Sequence, residues 1–152
     1  NAAVGYWTIG TGCMAASNAV SAYGHSFAAG LLEAAVQCAA DQTPVLLVGY
    51  DAPTVGALAS VTDSRGLLAV ALVIAPERTA RTVASLDWSL VGDGAATAPR
   101  SAAAATLKDI NPMADALPLF EALAQAPGSA DAPIDLPLSA ALALRLRLQA
   151  AG

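Results

Sequence analysis

Gly24-His25-Ser26-Phe27-Ala28 is the one stretch of the chain whose residue types and spacing suit covalent chemistry. It nearly matches the G-x-S-x-G nucleophile elbow, in which a sharp strand-to-helix turn exposes a serine hydroxyl for attack on an acyl carbonyl. Such a serine is a poor nucleophile until a base takes its proton, and that base is normally a histidine distant in sequence and oriented by a carboxylate. His25 is the single histidine of the chain. It adjoins Ser26, and a turn that exposes one residue at its tip points the neighbour elsewhere, which disfavours a local His25–Ser26 dyad. Asp51 is the acid candidate, since it follows an apolar run ending at Gly49, where the carboxyl edge of a sheet would lie. A strand-end Asp also suits a turn with no chemistry. The plainer role of Ser26, preferred here, is to cap a helix beginning at Phe27 by satisfying a free amide.

Other chemistries find less support. One histidine and separated carboxylates, Glu33 and Glu77 among them, offer no metal-ligand pair at a recognisable spacing. Gly5, Gly10 and Gly12 form no G-x-G-x-x-G after a strand, and there is no phosphate-binding G-x-x-x-x-G-K-[ST]. No cofactor is expected. Cys13, in an expected loop, and Cys38, on an expected helix, lack C-x-x-C or Cys/His partners; they read as reduced thiols, which suits a cytoplasmic protein. With a formal charge of -5 and seven scattered Lys and Arg residues, the chain carries no electrostatic footprint for nucleic acid. The longest apolar stretches, 44–49 and 66–75, fall well short of the roughly 18 residues that span a bilayer, so no membrane partner is expected.

The elements that must position the turn follow from periodicity. Residues 18–23 have short strand character, Gly24 supplies a permissive turn, and Phe27, Leu31, Ala34, Ala35 and Cys38 recur at helical spacing. Asp41 to Pro44 punctuate, and Val45-Leu46-Leu47-Val48-Gly49 reads as a strand covered on both faces, which would complete a βαβ-like unit. Residues 66–75 give another central strand closed by Pro76, and Leu86, Trp88 and Leu90 alternate with Asp87 and Ser89 as in a half-exposed strand. The Ala/Gly/Pro-rich stretch 92–106 reads as a loop. Asn111-Pro112 starts a helix reaching Leu123, with Pro118 as a kink or restart. Leu142, Leu144, Leu146 and Leu148 alternate with Ala143, Arg145 and Arg147 as a terminal strand with an apolar and a basic face.

These elements argue for an α/β domain with a mixed central sheet flanked by helices. At 152 residues the chain suits one domain over 1–152. It is 56% hydrophobic with 39 alanines, and only 12% charged, about half the usual share. So little solvated surface leaves room for a large interface. The chain begins at Asn1 with neither a methionine nor a signal-peptide pattern, as expected of a fragment.

The GHS turn is similar to those of acyltransferases and thioesterases. That likeness implies Ser26 as nucleophile, His25 and Asp51 assisting, and acyl carrier protein thioesters as substrate; the missing distal histidine counts against it. A broader likeness exists. Asn1-Ala2, Gly5, the run Ala19-Val20-Ser21-Ala22-Tyr23-Gly24, and residues 45–49 with Asp51 resemble β-ketoacyl synthases. In those enzymes the pattern is a strand, an active cysteine, a buried helix and a glycine-ended strand. Val20-Ser21-Ala22-Tyr23-Gly24-His25 looks like their T-V-S-T-A-C-A segment, which puts Gly24 where the family keeps its nucleophilic cysteine. Val48-Gly49-Tyr50-Asp51 is similar to G-G-x-E, with Asp for Glu, and the strand 68–74 is similar to the family's G-x-L-V-L-E strand. The closest likeness is to the chain-length factors of bacterial aryl polyene and related pigment clusters, whose tail carries a Leu-Pro-Leu; Leu117-Pro118-Leu119 and Leu136-Pro137-Leu138 fit.

The resemblance implies a thiolase-like layered fold lacking its first strand and helix. Synthases hold the acyl chain on a cysteine thiolate and use two histidines from a second half; here the thiol position reads as Gly24 and that half is absent. Cys13, about eleven positions upstream, lacks the helix terminus that would lower its pKa. The implied role is a noncatalytic subunit that pairs with an active synthase, or with itself as a dimer, and helps set acyl or polyene chain length, with acyl carrier protein a possible further partner. Gly24, Phe27 and Tyr50 would shape the pocket floor. Asn18, Ala19, Val20, Ser21 and Ala22 would form an interface edge, paired across a two-fold or pseudo-two-fold axis so that its amides and carbonyls are satisfied. A purely structural interaction domain of the same shape is a third possibility.

Overall fold

The structure, a computed structural model, describes residues 2–62, 64–125 and 132–150. The apolar spacing from Phe27 to Cys38 winds into α2 (Ser26–Asp41), which buries Phe27, Ala28, Leu31, Ala34, Ala35 and Cys38 on one stripe. It stops at Gln42, whose left-handed φ of 54° takes the chain out of the helix. Beside it β1 (Val45–Asp51) pairs antiparallel with β2 (Leu68–Ile74), Val45 opposite Ile74 and Asp51 opposite Leu68. Leu47, Val70, Leu72 and Ile74 on the inner face pack against the core.

β3 (Ala84–Gly92), β4 (Ile134–Pro137) and β5 (Leu142–Ala150) make a second antiparallel sheet in the order β3-β5-β4. Between β3 and β4 the chain forms α3 (Ala102–Lys108), a 3₁₀ turn Pro112–Ala116, and α4 (Leu117–Ala124). The core lies where these parts meet: Phe27 and Leu31 of α2, Met113 of the 3₁₀ turn, Leu119 of α4, Leu136 of β4, and Leu144 and Leu146 of β5. Each such side chain is worth roughly 1.5–3 kcal/mol on leaving water. Phe27 and Phe120 add a tilted ring pair, centroids 6.1 Å apart.

Several sequence expectations hold. Strands form where 66–75, 86–90 and 142–148 are expected, as Leu68–Ile74, Ala84–Gly92 and Leu142–Ala150, and the Asn-Pro signal starts a helical segment that restarts at Pro118, a first-turn residue of α4. Asn111 accepts a hydrogen bond from the Met113 amide at 2.9 Å, as a cap should.

Others are corrected. Residues 18–23 are not a strand: 12–22 is irregular and 23–25 a 3₁₀ turn. With the small residues Ala19, Ser21 and Ala22 around a lone β-branched Val20, the segment forms no ladder with any described residue. Among the described residues there is consequently no βαβ unit, and in place of one mixed sheet there are two antiparallel sheets. β1 and β2 form a two-stranded sheet covered on one face only, so residues 66–75 do not give a central strand: Leu46, Val48 and Tyr50 are about half exposed and Val73 is 70% exposed. Inside the expected 92–106 loop, alanines at 102–105 start α3, capped by the Ser101 hydroxyl accepting from the Ala104 amide at 3.2 Å. α1 (Ala2–Thr11) was not foreseen because it is apolar all round, with no periodic face, and it buries none of its side chains.

Candidate functional site at the turn before α2

His25 donates its amide proton to the Ala22 carbonyl at 3.0 Å, closing the turn that leads into α2. Ser26 locks the turn from the other side: its hydroxyl accepts from the Ala22 amide at 2.9 Å and donates to the Tyr23 carbonyl at 2.7 Å. The helix therefore starts at Ser26 itself, and neither His25, at the cap position, nor Ser26 gives a side-chain cap. The expected capping role is corrected to a brace on the preceding turn. With its proton given to a carbonyl, the Ser26 hydroxyl is not held by any base.

Tyr23, at the centre of this turn, has φ of 50°, a left-handed conformation rarely taken by an aromatic residue. It is 86% exposed. Gly24, which would adopt that conformation at no cost, is not in it. A Cβ added at Gly24 would meet nothing within 4 Å, so packing does not demand a glycine there.

The residues expected to cooperate are not joined by hydrogen bonds. His25 Nδ1 is buried with no hydrogen-bond partner among the described residues. Asp51, at the end of β1, receives a short hydrogen bond from the Ser64 hydroxyl, which also approaches the Ala52 carbonyl at 3.0 Å. Asp51 thus pins the connection between β1 and β2. Ser64 lies 13 residues further along, with no sequence signal tying it to Asp51. Phe27 sits in the core, whereas Tyr50, 53% exposed, alternates with the inward residues of β1 and faces outward. The proposed pocket floor of Gly24, Phe27 and Tyr50 is not assembled on one face.

A neighbour that sequence reasoning missed is Met113. Its Sδ would stand 2.9 Å from a Cβ built on Gly49, so this glycine lets the 3₁₀ turn settle onto β1. The adjacent Asn111 side chain donates to the Gly66 carbonyl at 3.3 Å, tying the same turn to the start of β2. Asn-Pro was the available signal, read only as a helix start.

Cys38 is buried on α2, its thiol 3.7 Å from the Ile74 carbonyl. Cys13, half-buried after α1, borders an open groove of about 420 Å³ with Thr8, Ile9, Gly12, Met14 and Ala15. Asn18, Ala19, Val20 and Ser21 are exposed and Ala22 is half-buried, with the Asn18 amide donating to Glu33 at 3.4 Å. Among the described residues no group of three His, Cys, Asp or Glu could hold a metal ion, and no helix is long and apolar enough to cross a membrane.

Residues 1–127 match the family model of the β-ketoacyl synthase, N-terminal domain. The chain belongs to that family. No curated protein and no solved structure matches it. The matched stretch takes in the turn, α2, both strands of the first sheet and α4, and stops short of β4 and β5. Asn1, quoted in the likeness, lies outside the described residues. Ketosynthase-like domains serve fatty acid and polyketide biosynthesis, and that is the setting in which the turn at Gly24 is to be read.

Proposed function

We infer that the chain is a noncatalytic β-ketoacyl-synthase-like subunit of thiolase-like layering, which pairs with an active synthase and helps set the length of the acyl or polyene chain. The observation that carries this is the turn before α2. In the resemblance Gly24 falls where the family keeps its nucleophilic cysteine, and a Cβ built there would meet nothing within 4 Å. Among the described residues the nearby hydroxyl and thiols are placed for other roles. Ser26 has committed its proton to a backbone carbonyl, Cys38 is buried along the helix, and Cys13 lies in the loop after α1. Nothing in this geometry favours the serine acyltransferase or thioesterase, which needs a free hydroxyl facing a base.

In this reading residues 18–22 are the edge offered to the mate. Their exposure, and the absence of a ladder partner among the described residues, suit an edge completed by another subunit. The test is coexpression with an active β-ketoacyl synthase and an acyl carrier protein, followed by the product length distribution. The expected result is a defined product length with the chain present and a shifted one without it. An identical distribution in both cases would remove the chain-length role.

A further inference from the structure

α3 (Ala102–Lys108) is fastened by its ends rather than by its face. At seven residues it is well below the roughly 12–15 at which an isolated helix becomes even marginal in water. Burial adds little, since Ala104 is the one buried side chain of the helix and Leu107 is half-buried. At its N-terminal end the Glu121 carboxylate, on α4, accepts the Arg100 amide at 2.7 Å, the Ser101 amide at 2.9 Å and the Ser101 hydroxyl at 2.6 Å. Bonds to an ionised group are the strong ones, and a carboxylate beside a helix N-terminus also meets the positive end of the helix dipole. The Ser101 hydroxyl and, next, the Arg100 amide draw the Glu121 carboxyl below its ordinary 4.5. Ser101 is itself the cap of α3, so one carboxylate fixes the residue that starts the helix. At the other end Lys108 pairs with Asp115 at 3.6 Å, and the Ile110 carbonyl accepts the Arg65 amide at 2.8 Å.

The element against which α3 lies is the 3₁₀ turn Pro112–Ala116, and that turn also touches residues 23–25 and β1. It buries Met113, Ala114 and Ala116, with Met113 seated on Gly49. One packed element therefore stands between α3 and the turn before α2, and a displacement of α3 has a contiguous route to that turn.

We propose that α3 is a releasable strap, latched by Glu121 of α4 and by the Lys108–Asp115 pair, which opens as a unit while the β3-β5-β4 sheet stays closed and in opening loosens the turn at residues 23–25. Segments that bury little and expose most of their backbone open at a lower free energy than the fold as a whole. With only Ala104 to withdraw fully from the interior, the main loss on opening is the set of hydrogen bonds to the Glu121 carboxylate. The exposed Lys108–Asp115 pair is the weaker latch. The inference uses no claim about Gly24, an acyl chain or a synthase.

Native-state hydrogen exchange, read by mass spectrometry on the native chain and on Glu121→Ala, supplies the test. Alanine keeps α4 helical and removes the acceptor of all three bonds. The expected result is that the amides of 104–111 exchange at least about tenfold faster in the variant, that the Ala22 and His25 amides accelerate with them, and that 143–147 in β5 do not change. Unchanged exchange at 104–111 overturns the strap, and an equal acceleration at 143–147 overturns it as well, because the whole fold has then been weakened. A rise at 104–111 that leaves Ala22 and His25 as they were refutes the coupling to the turn. Lys108→Ala reads the second latch: a smaller acceleration of the same amides supports the proposal, and one exceeding that of Glu121→Ala contradicts the place given to Glu121.

Discussion

The sheet β3-β5-β4 and the arm of residues 2–24 treat their polar and apolar groups in opposite ways. In the sheet, Leu144 and Leu146 are buried beneath β4, and on the other face Arg145 grips Asp135 with two hydrogen bonds of 2.7 and 2.6 Å. Thr97 stitches the 93–100 loop to β4 by donating its amide to the Asp135 carbonyl at 2.9 Å and accepting the Asp135 amide at 2.8 Å. Gly94 allows that loop to close, since a Cβ there would stand 2.7 Å from the Ala143 Cβ. The arm buries none of α1, leaves an aromatic in solvent and holds a strained backbone. Stability is stored in the first region, and the second leaves its apolar groups in solvent. The same contrast explains how a chain only 12% charged can have both a dry core and exposed apolar residues.

Leu146→Ala should do the greatest damage. It empties a fully buried site in the sheet and should cost about 3 kcal/mol by urea unfolding, while the same truncation at Ile9 should cost nothing measurable. Equal losses at both positions would erase the contrast.

Arg145→Ala comes next. It leaves the Asp135 carboxylate, in a residue 8% exposed, without its partner. A fully buried pair loses roughly 3–5 kcal/mol in this way; because the Arg145 side chain is 34% exposed, solvent screening makes the loss here smaller than that at Leu146. The hydrogen bonds from Arg145 hold the Asp135 carboxyl below its ordinary 3.8, against the upward push of burial. A depressed carboxyl pKa stabilises the fold above the unfolded value and loses that contribution as pH falls through the folded one. The gap between wild type and Arg145→Ala should therefore be full at pH 7 and shrink below about pH 4. A gap independent of pH would mean that Arg145 acts by packing alone.

The arm predicts smaller effects of the opposite sign. Tyr23→Gly relieves the left-handed residue and should raise stability by about 1 kcal/mol, visible as a higher thermal midpoint under conditions where the chain is monomeric. A loss instead would show that Tyr23 is anchored within its own chain. Smallest of all, Val20→Pro should leave unfolding within about 0.5 kcal/mol of wild type, as in surface substitutions away from structural features, while abolishing pairing with a synthase by removing an edge amide.

Periodicity made the regions that bury a face legible. α2, β3 and β5 stand where the apolar spacing placed them, because one-sided burial imprints a period of 3.6 or 2 on the residues. For β1 and β2 the position is legible and the covering is not, since a run apolar on both faces does not say whether a second layer lies over it. α1 was invisible for a related reason: a helix with no buried face has no stripe. A strand at 18–23 depends on a neighbour that the described residues do not supply. At the site, the turn could be located from Gly24 and Ser26, but the brace at Ser26, the Ser64 bond to Asp51 and the fit of Met113 over Gly49 are contacts at separations that no local pattern encodes.

The central claim is that this turn carries no acyl acceptor. Incubating the chain with an acyl carrier protein thioester and measuring its intact mass, with peptide mapping of residues 13–38, tests it most directly. The account predicts no added acyl group at the turn, and covalent loading only after Gly24→Cys. An acyl group found on Ser26 of the native chain would contradict it.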